Sequence, residues 1–244
     1  MIYGINGKKR SGKDTVGLTI AELLHAGSPS TTIRIDKFAR RMKESILHGF
    51  KMVMPGVGIT YADMDGDGCD REVCNVEIDD ACEILIHALH YLKLNVTPVI
   101  ESQIREIVAY TKLRREPFSP VSIRILLQLM GTEIVRSLYD ENFWVNAVID
   151  AHKEAVEKNP DTITIVTDCR FDNEAQGIMD SGDEYRLLMV IRDTLNNNTE
   201  TSQHDSEHGI VDNSGHFEII PNNGSIEDLQ NYLKEKYTCK THSK

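Results

Sequence analysis

Long apolar runs are missing from this chain of 244 residues. No stretch approaches the roughly 20 apolar residues that a membrane-spanning helix needs, so no membrane partner is expected. Basic charge is scarce as well: 27 Lys and Arg stand against 38 Asp and Glu, for a formal net charge of -11. A protein built mainly to hold nucleic acid needs a broad basic face, and this composition excludes one. Cysteine is sparse and unpaired in pattern. The five residues, Cys69, Cys74, Cys82, Cys169 and Cys239, are odd in number and contain no C-x-x-C, which predicts reduced thiols in a cytosolic protein. Internal repeats and low-complexity tracts are absent, and a leader peptide is not expected, because an apolar strand and a functional loop begin at once. From Asp193 through Leu233 there is no Lys or Arg at all. A lid built from that stretch brings no basic side chain to an anion.

What is present is basic charge in small clusters, the first of them inside a glycine-bounded loop. Residues 1–5 form a short apolar run, Gly7 follows, then four residues, then Gly12-Lys13, after which Val16, Leu18, Ile20, Leu23 and Leu24 recur at helical spacing. Strand, glycine-rich turn and helix in this order place backbone amides and the positive end of a helix against an anion. Lys13 then reaches the β- and γ-phosphates of a nucleoside triphosphate. Asp14 stands where such loops normally carry the Ser or Thr that binds Mg²⁺. The metal is therefore expected on the Asp14 carboxylate through water, with help from Thr15.

The remaining chain reads as further strands and helices. After a break at residues 27–30, the β-branched residues at 32–35 predict a second strand, followed by a helix on Phe38, Met42, Ile46 and Leu47. Lys37 and Lys43 at its beginning are candidates for an acceptor phosphate, since ligands in open α/β sheets bind at strand ends. Residues 51–77 are rich in Gly and Asp but lack the Glu that closes a calcium loop, and read as an excursion over a substrate. An amphipathic helix is predicted over 78–92. Residues 95–120 read as a weaker helix ending in a basic turn at Lys112, Arg114 and Arg115. Ser122 caps the next helix, whose apolar face is Ile123, Leu126, Leu127, Met130, Ile134 and Leu138. Arg124, Gln128 and Thr132 form a polar row at four-residue spacing on another face, as the lining of a site does. A helix over 141–157 carries the only tryptophan, Trp144, whose default place is a core.

Residues 162–166 predict a buried strand ending in Thr167-Asp168-Cys169-Arg170. Asp168 at that strand end is the natural partner for Mg²⁺ or its waters, and Arg170 faces the same crevice. A helix over 173–179, strands over 187–191 and 216–220, and a final helix capped by Ser225 and Asp228 complete the pattern. Five strands with helical crossovers predict a mainly parallel, three-layer α/β fold. It is one domain, with a helical excursion over about 37–158 and a lid-like segment over about 193–215. Positive charge for a transferring phosphate comes from Arg10, Arg170, Arg192 and the excursion.

Several of these stretches together resemble a known family. GKKRSGKDT at 7–15, DRE at 70–72, RILLQLMGTE at 124–133, FWV at 143–145, TDCR at 167–170 and NNGSIEDL at 222–229 are similar to the deoxynucleoside monophosphate kinases of T-even-type bacteriophages, within the P-loop nucleoside monophosphate kinase superfamily. GKDT is that family's own form of the loop. The resemblance runs through most of the chain, and only residues 95–120 match poorly. It implies a P-loop kinase fold and phosphoryl transfer from ATP, with Mg²⁺, to a deoxynucleoside 5′-monophosphate in the cytoplasm of a phage-infected cell. It further implies Lys9, Arg10, Gly12, Lys13, Asp14 and Thr15 for the triphosphate, and Lys43, Arg71, Arg124, Gly131, Thr132 and Trp144 for the monophosphate and its base. Two alternatives stay open. Phosphomevalonate kinases also carry a loop ending Gly-Lys-Asp, so the acceptor can be a non-nucleotide phosphate; a non-catalytic nucleotide-binding module needs neither an acceptor pocket nor Arg170. The Ile- and Leu-lined helices can serve a homodimer as readily as a core.

Overall fold

The computed structural model of the chain describes residues 1–66, 75–115, 121–193, 210 and 215–238. In order these form β1 (Ile2–Gly7), α1 (Lys13–Gly27), β2 (Thr32–Asp36), α2 (Arg40–Val53), α3 (Tyr61–Asp65), β3 (Asn75–Val76), α4 (Ile78–Tyr91) and α5 (Pro98–Arg115). There follow β4 (Val121–Ser122), α6 (Ile123–Gln128), a π-helical turn (Leu129–Ile134), α7 (Val135–Leu138), α8 (Phe143–Lys158), β5 (Thr162–Cys169), α9 (Asp172–Met179), β6 (Tyr185–Ile191), β7 (Phe217–Pro221) and α10 (Ile226–Thr238). Residues 1–38 with 145–244 make one compact unit, and residues 39–144 a second. Among the described residues no helix is long and apolar enough to cross a membrane.

In the first unit the strands lie in the order β2-β5-β1-β6-β7, and every neighbouring pair is parallel. β1 is central, paired with β5 (Ile2 opposite Thr164) and with β6 (Ile2 opposite Tyr185). A central parallel strand is covered on both faces, which is why Ile2 through Asn6 are all buried. Successive residues point to opposite faces. Ile2, Val166 and Leu187 accordingly pack with Val145, Val148 and Ile178 of α8 and α9, while Tyr3, Ile5, Ile165 and Leu188 pack with Val16, Ile20, Leu229 and Leu233 of α1 and α10. Two helical layers enclose one sheet, as the alternation of crossovers predicts. The sheet is wholly rather than mainly parallel. β5 outruns its expected end at Val166 through Thr167, Asp168 and Cys169, because Asn6 of β1 pairs with Cys169 and donates its side-chain amide to the Cys169 carbonyl at 2.8 Å.

The second unit is helical around its own core, which includes Ile46, Phe50, Leu85, Leu89, Ile104, Leu126, Met130 and Trp144. α2 and α4 cross in contact at Gly49, where a Cβ would lie 2.2 Å from the Ile84 carbonyl oxygen. One sequence expectation needs correction here: Lys112, Arg114 and Arg115 are the last turn of α5 and not a basic turn after it. Pro98 stands at the first helical position, where its missing N–H costs nothing, and the Thr97 hydroxyl accepts from the Ile100 amide. Ile104 and Val108 are buried, Arg105 pairs with Glu101 and Glu83, and Arg114 lies over the Tyr110 ring at 5.3 Å. These contacts carry the helix to Arg115. Ser122 caps α6 as expected, its hydroxyl accepting from the Ile125 amide. Cys82 and Cys169 are free and buried; the other three cysteines lie outside the described residues.

Candidate active site

The loop between β1 and α1 is shaped by two residues in the left-handed region, Arg10 (φ 64°) and Gly12 (φ 93°). The Ser11 amide closes the turn on the Lys8 carbonyl at 3.1 Å, and the Val16 amide donates to the Gly12 carbonyl at 2.9 Å as α1 begins. Left-handed residues beside a helix start turn successive N–H groups toward a common anion. Lys13, the first residue of α1, is only 9% exposed and donates from Nζ to the Lys8 carbonyl at 3.2 Å. Burial, reinforced by the nearby Arg170 guanidinium, holds its ammonium below the ordinary lysine range. A cation that is disfavoured when the loop is empty gains most from an arriving phosphate. Lys9 and Arg10 are exposed.

Opposite the loop, the carboxyl ends of β2 and β5 bring acidic and basic groups together. Asp14 Oδ1 accepts from the Thr167 hydroxyl at 2.8 Å and pairs with Lys37 Nζ at 3.1 Å. Burial alone would raise the Asp14 carboxyl, but Thr167 and Lys37 outweigh it and hold the group below its ordinary value. Asp168 is buried and accepts from the Phe38 amide at 2.7 Å. Arg170 is exposed, and its amide is fixed by Glu174, whose Oε2 accepts from Arg170 N at 2.7 Å and Phe171 N at 3.2 Å. Lys37, expected on an acceptor phosphate, therefore stands against the Asp14 carboxylate of the loop.

A cleft of about 530 Å³ opens beside the loop. Arg10, Gly12, Lys13, Asp14 and Thr15 line one side, and Arg192, Asn222 and the start of α10 line the other. Two asparagines that the sequence did not mark as site residues hold this region. Asn222 donates to the Ser11 carbonyl at 2.7 Å, and Asn6 ties the ends of β1 and β5. Their only sequence signal is an amide side chain at the polar end of a strand.

The second unit contains the other expected residues. Lys43 forms an ion pair with Asp65. Arg124 and Gln128 lie on α6, and Gly131 and Thr132 on the π-helical turn after it. Single π-turns within helices are uncommon and recur at functional sites. Here the turn is stabilised by Trp144 Nε1, which donates to the Gly131 carbonyl at 3.0 Å, and by the Ser137 hydroxyl, which donates to the Thr132 carbonyl at 3.1 Å. The Trp144 ring is buried in the core. The Gln128 Oε1 atom is buried with no hydrogen-bond partner among the described residues. Arg71 lies outside the described residues, as do the rest of the 67–74 stretch and most of the lid-like segment.

A glycine-bounded anion loop at the end of the central strand, a buried lysine heading the following helix and carboxylates at the neighbouring strand end define a P-loop phosphotransferase. Comparison with known proteins narrows this class. The chain belongs to the deoxynucleotide monophosphate kinase family, whose model matches residues 1–233. It is 26% identical over 250 residues to a deoxynucleotide monophosphate kinase of Escherichia phage RB69, with 95% of this chain and 97% of that protein covered. It is 24% identical over 241 residues to a deoxynucleoside-5'-monophosphate kinase of Escherichia phage T5, with 94% and 93% covered. The family resemblance carried by the sequence motifs is thereby established.

Proposed function

We propose that this kinase moves the γ-phosphoryl group of ATP onto the phosphate of a deoxynucleoside 5′-monophosphate, providing DNA precursors in the cytoplasm of a phage-infected cell. The observation that best supports the reading is the buried Lys13 at the head of α1, facing a cleft that Arg10 and Arg192 also line. Loop amides and Lys13 hold the β- and γ-phosphates, with Lys9, Gly12 and Thr15 shaping the same cradle. Arg10 and Arg170 offset charge on the transferring group, where such contacts act more strongly than in water. The acceptor falls to Lys43, Arg71, Arg124, Gln128, Gly131, Thr132 and Trp144.

An acceptor phosphate oxygen bonds to the γ-phosphorus as the bond to the β,γ-bridging oxygen breaks, and ADP leaves. The acceptor is already an anion, so no general base is needed. Asp14, Thr15 and Asp168 present hard oxygen donors suited to Mg²⁺ or its waters. Among the described residues no three His, Cys, Asp or Glu side chains cluster as a metal cage, which fits an ion that takes its other ligands from phosphate and water. When bound, the ion supplies charge neutralisation at the β- and γ-oxygens. A homodimer belongs to the same reading. The apolar faces of α4 and α6 are spent in the core, and Val99, Tyr110 and Leu113 on α5 remain exposed.

ADP release from Mg-ATP, measured with each deoxy- and ribonucleoside monophosphate in turn, tests the proposal. Turnover with deoxynucleotides that disappears in Lys13→Ala is the expected result. Absence of turnover with every nucleotide would reject the acceptor assignment and direct the search to other phosphates.

A further inference from the structure

The turn between β7 and α10 lies 211 residues from the phosphate loop in sequence, yet it touches that loop at the Ser11 carbonyl. Asn222 is 6% exposed. Its main-chain amide donates to the Ile191 carbonyl at 2.8 Å, continuing the pairing of β6 with β7 by one residue. Its side chain therefore springs from the end of the sheet. From there Nδ2 donates to the Ser11 carbonyl at 2.7 Å. In a trans peptide the carbonyl of one residue and the N–H of the next point in opposite directions. Fixing the Ser11 carbonyl on Asn222 therefore aims the Gly12 N–H away from Asn222, the direction from which a phosphate oxygen would accept it.

Position 12 answers to Asn222 in turn. A Cβ on residue 12 would stand 2.4 Å from Asn222 Nδ2, so the absent side chain of one residue makes room for the amide of the other. The adjoining Asn223 ties the same turn to the end of β6: its Oδ1 accepts from the Asp193 amide at 2.9 Å and its Nδ2 donates to the Asp193 carboxylate, one residue after the cleft-lining Arg192. Two consecutive asparagines thus tie the turn before α10 to the phosphate loop and to the segment after β6.

We infer that Asn222 is a positioning residue for ATP, acting through the Ser11–Gly12 peptide of the phosphate loop. The inference rests on the reading of the cleft as the ATP site. It calls for Asn222→Leu, close in size but without a donor, and Asn222→Asp, equal in shape but presenting an acceptor to a carbonyl. ATP affinity is read by calorimetry, and steady-state kinetics give the KM for each substrate. Loss of one buried hydrogen bond that orients the loop is expected to weaken ATP by about tenfold in both variants while the acceptor KM stays within about twofold. A role in packing alone would be preserved by Asn222→Asp.

Binding of ATP by the unmodified chain with equal affinity in both folded variants would overturn the inference and leave the ATP site standing. Absence of ATP binding by the unmodified chain would overturn both. Should the variants not fold, the unmodified protein decides: the Asn222 side-chain amide resonances should exchange slowly and shift when inorganic tripolyphosphate is added. Rapid exchange with no shift would reject the assignment.

Discussion

Replacing Gly12 with Ala puts a methyl group where the structure has an amide nitrogen. Two costs are separable. The residue keeps φ at 93°, in the left-handed region, where an L side chain is disfavoured by about 1–2 kcal/mol. The added Cβ lies 2.4 Å from Asn222 Nδ2, well inside contact distance, and Asn222 is pinned at its own amide and at Ser11. It yields only by giving up the Ser11 bond, worth about 1 kcal/mol. The sum is about 2–3 kcal/mol. Charged wholly to unfolding, this lowers Tm by roughly 5–10 °C in a chain of this size. If the loop instead relaxes into another shape, the same energy appears as ATP binding weakened by roughly 30- to 150-fold. Scanning calorimetry with and without ATP, beside the KM for ATP, captures either route. A Gly12→Ala protein with unchanged Tm and unchanged ATP affinity would refute the reasoning, since neither cost would have been met.

Lys13→Met should abolish turnover by orders of magnitude without loss of stability at neutral pH. The lysine pKa is lowered in the folded state, so its buried ammonium opposes folding below that pKa, and the opposition fades as pH rises toward the unfolded value. Urea unfolding at pH 7 and pH 10 should show the variant's advantage shrinking with pH, and a variant clearly less stable at pH 7 contradicts this. Asp14 has the opposite sign: its depressed carboxyl stabilises above the ordinary value of 3.8 and loses that contribution as pH falls through the lower folded one. Asp14→Asn should flatten the acid limb of the stability profile, by under about 1 kcal/mol because the side chain is largely exposed. Trp144→Phe removes the donor to Gly131 and should cost about 1 kcal/mol in urea unfolding. It should also raise the acceptor KM with the ATP KM unchanged; an unaltered acceptor KM removes the π-helical turn from the acceptor site.

The phosphate loop was legible because its chemistry demands contiguous residues in a fixed order. The Ser122 cap and the alternation of strand with helix are local in the same way. What escaped reading depends on distant partners. The polar end of β5 looks like a loop until Asn6 and the Phe38 amide are beside it. The basic end of α5 resembles a turn until Arg114 lies along Tyr110. Lys37 is legible as a candidate for an acceptor phosphate, but its pairing with Asp14, whose own place follows from Thr167, is not. Asn222 opens one of the family-like stretches, but its role was hidden because its partner, Ser11, lies 211 residues away.

The central place of β1 has a consequence for how the chain is made. Its partners on both sides, Thr164 and Tyr185 opposite Ile2, are synthesised long after it, while residues 39–144 form one continuous stretch with a core of their own. Contacts of such high sequence separation are slow to form, and an unpaired apolar strand is exposed to aggregation while it waits. The phosphate loop is thus synthesised before either strand that flanks β1 and takes its shape only after both have joined it. A truncated chain ending before β5 would carry the whole loop sequence with β1 and β2 but neither of the strands that pair with β1.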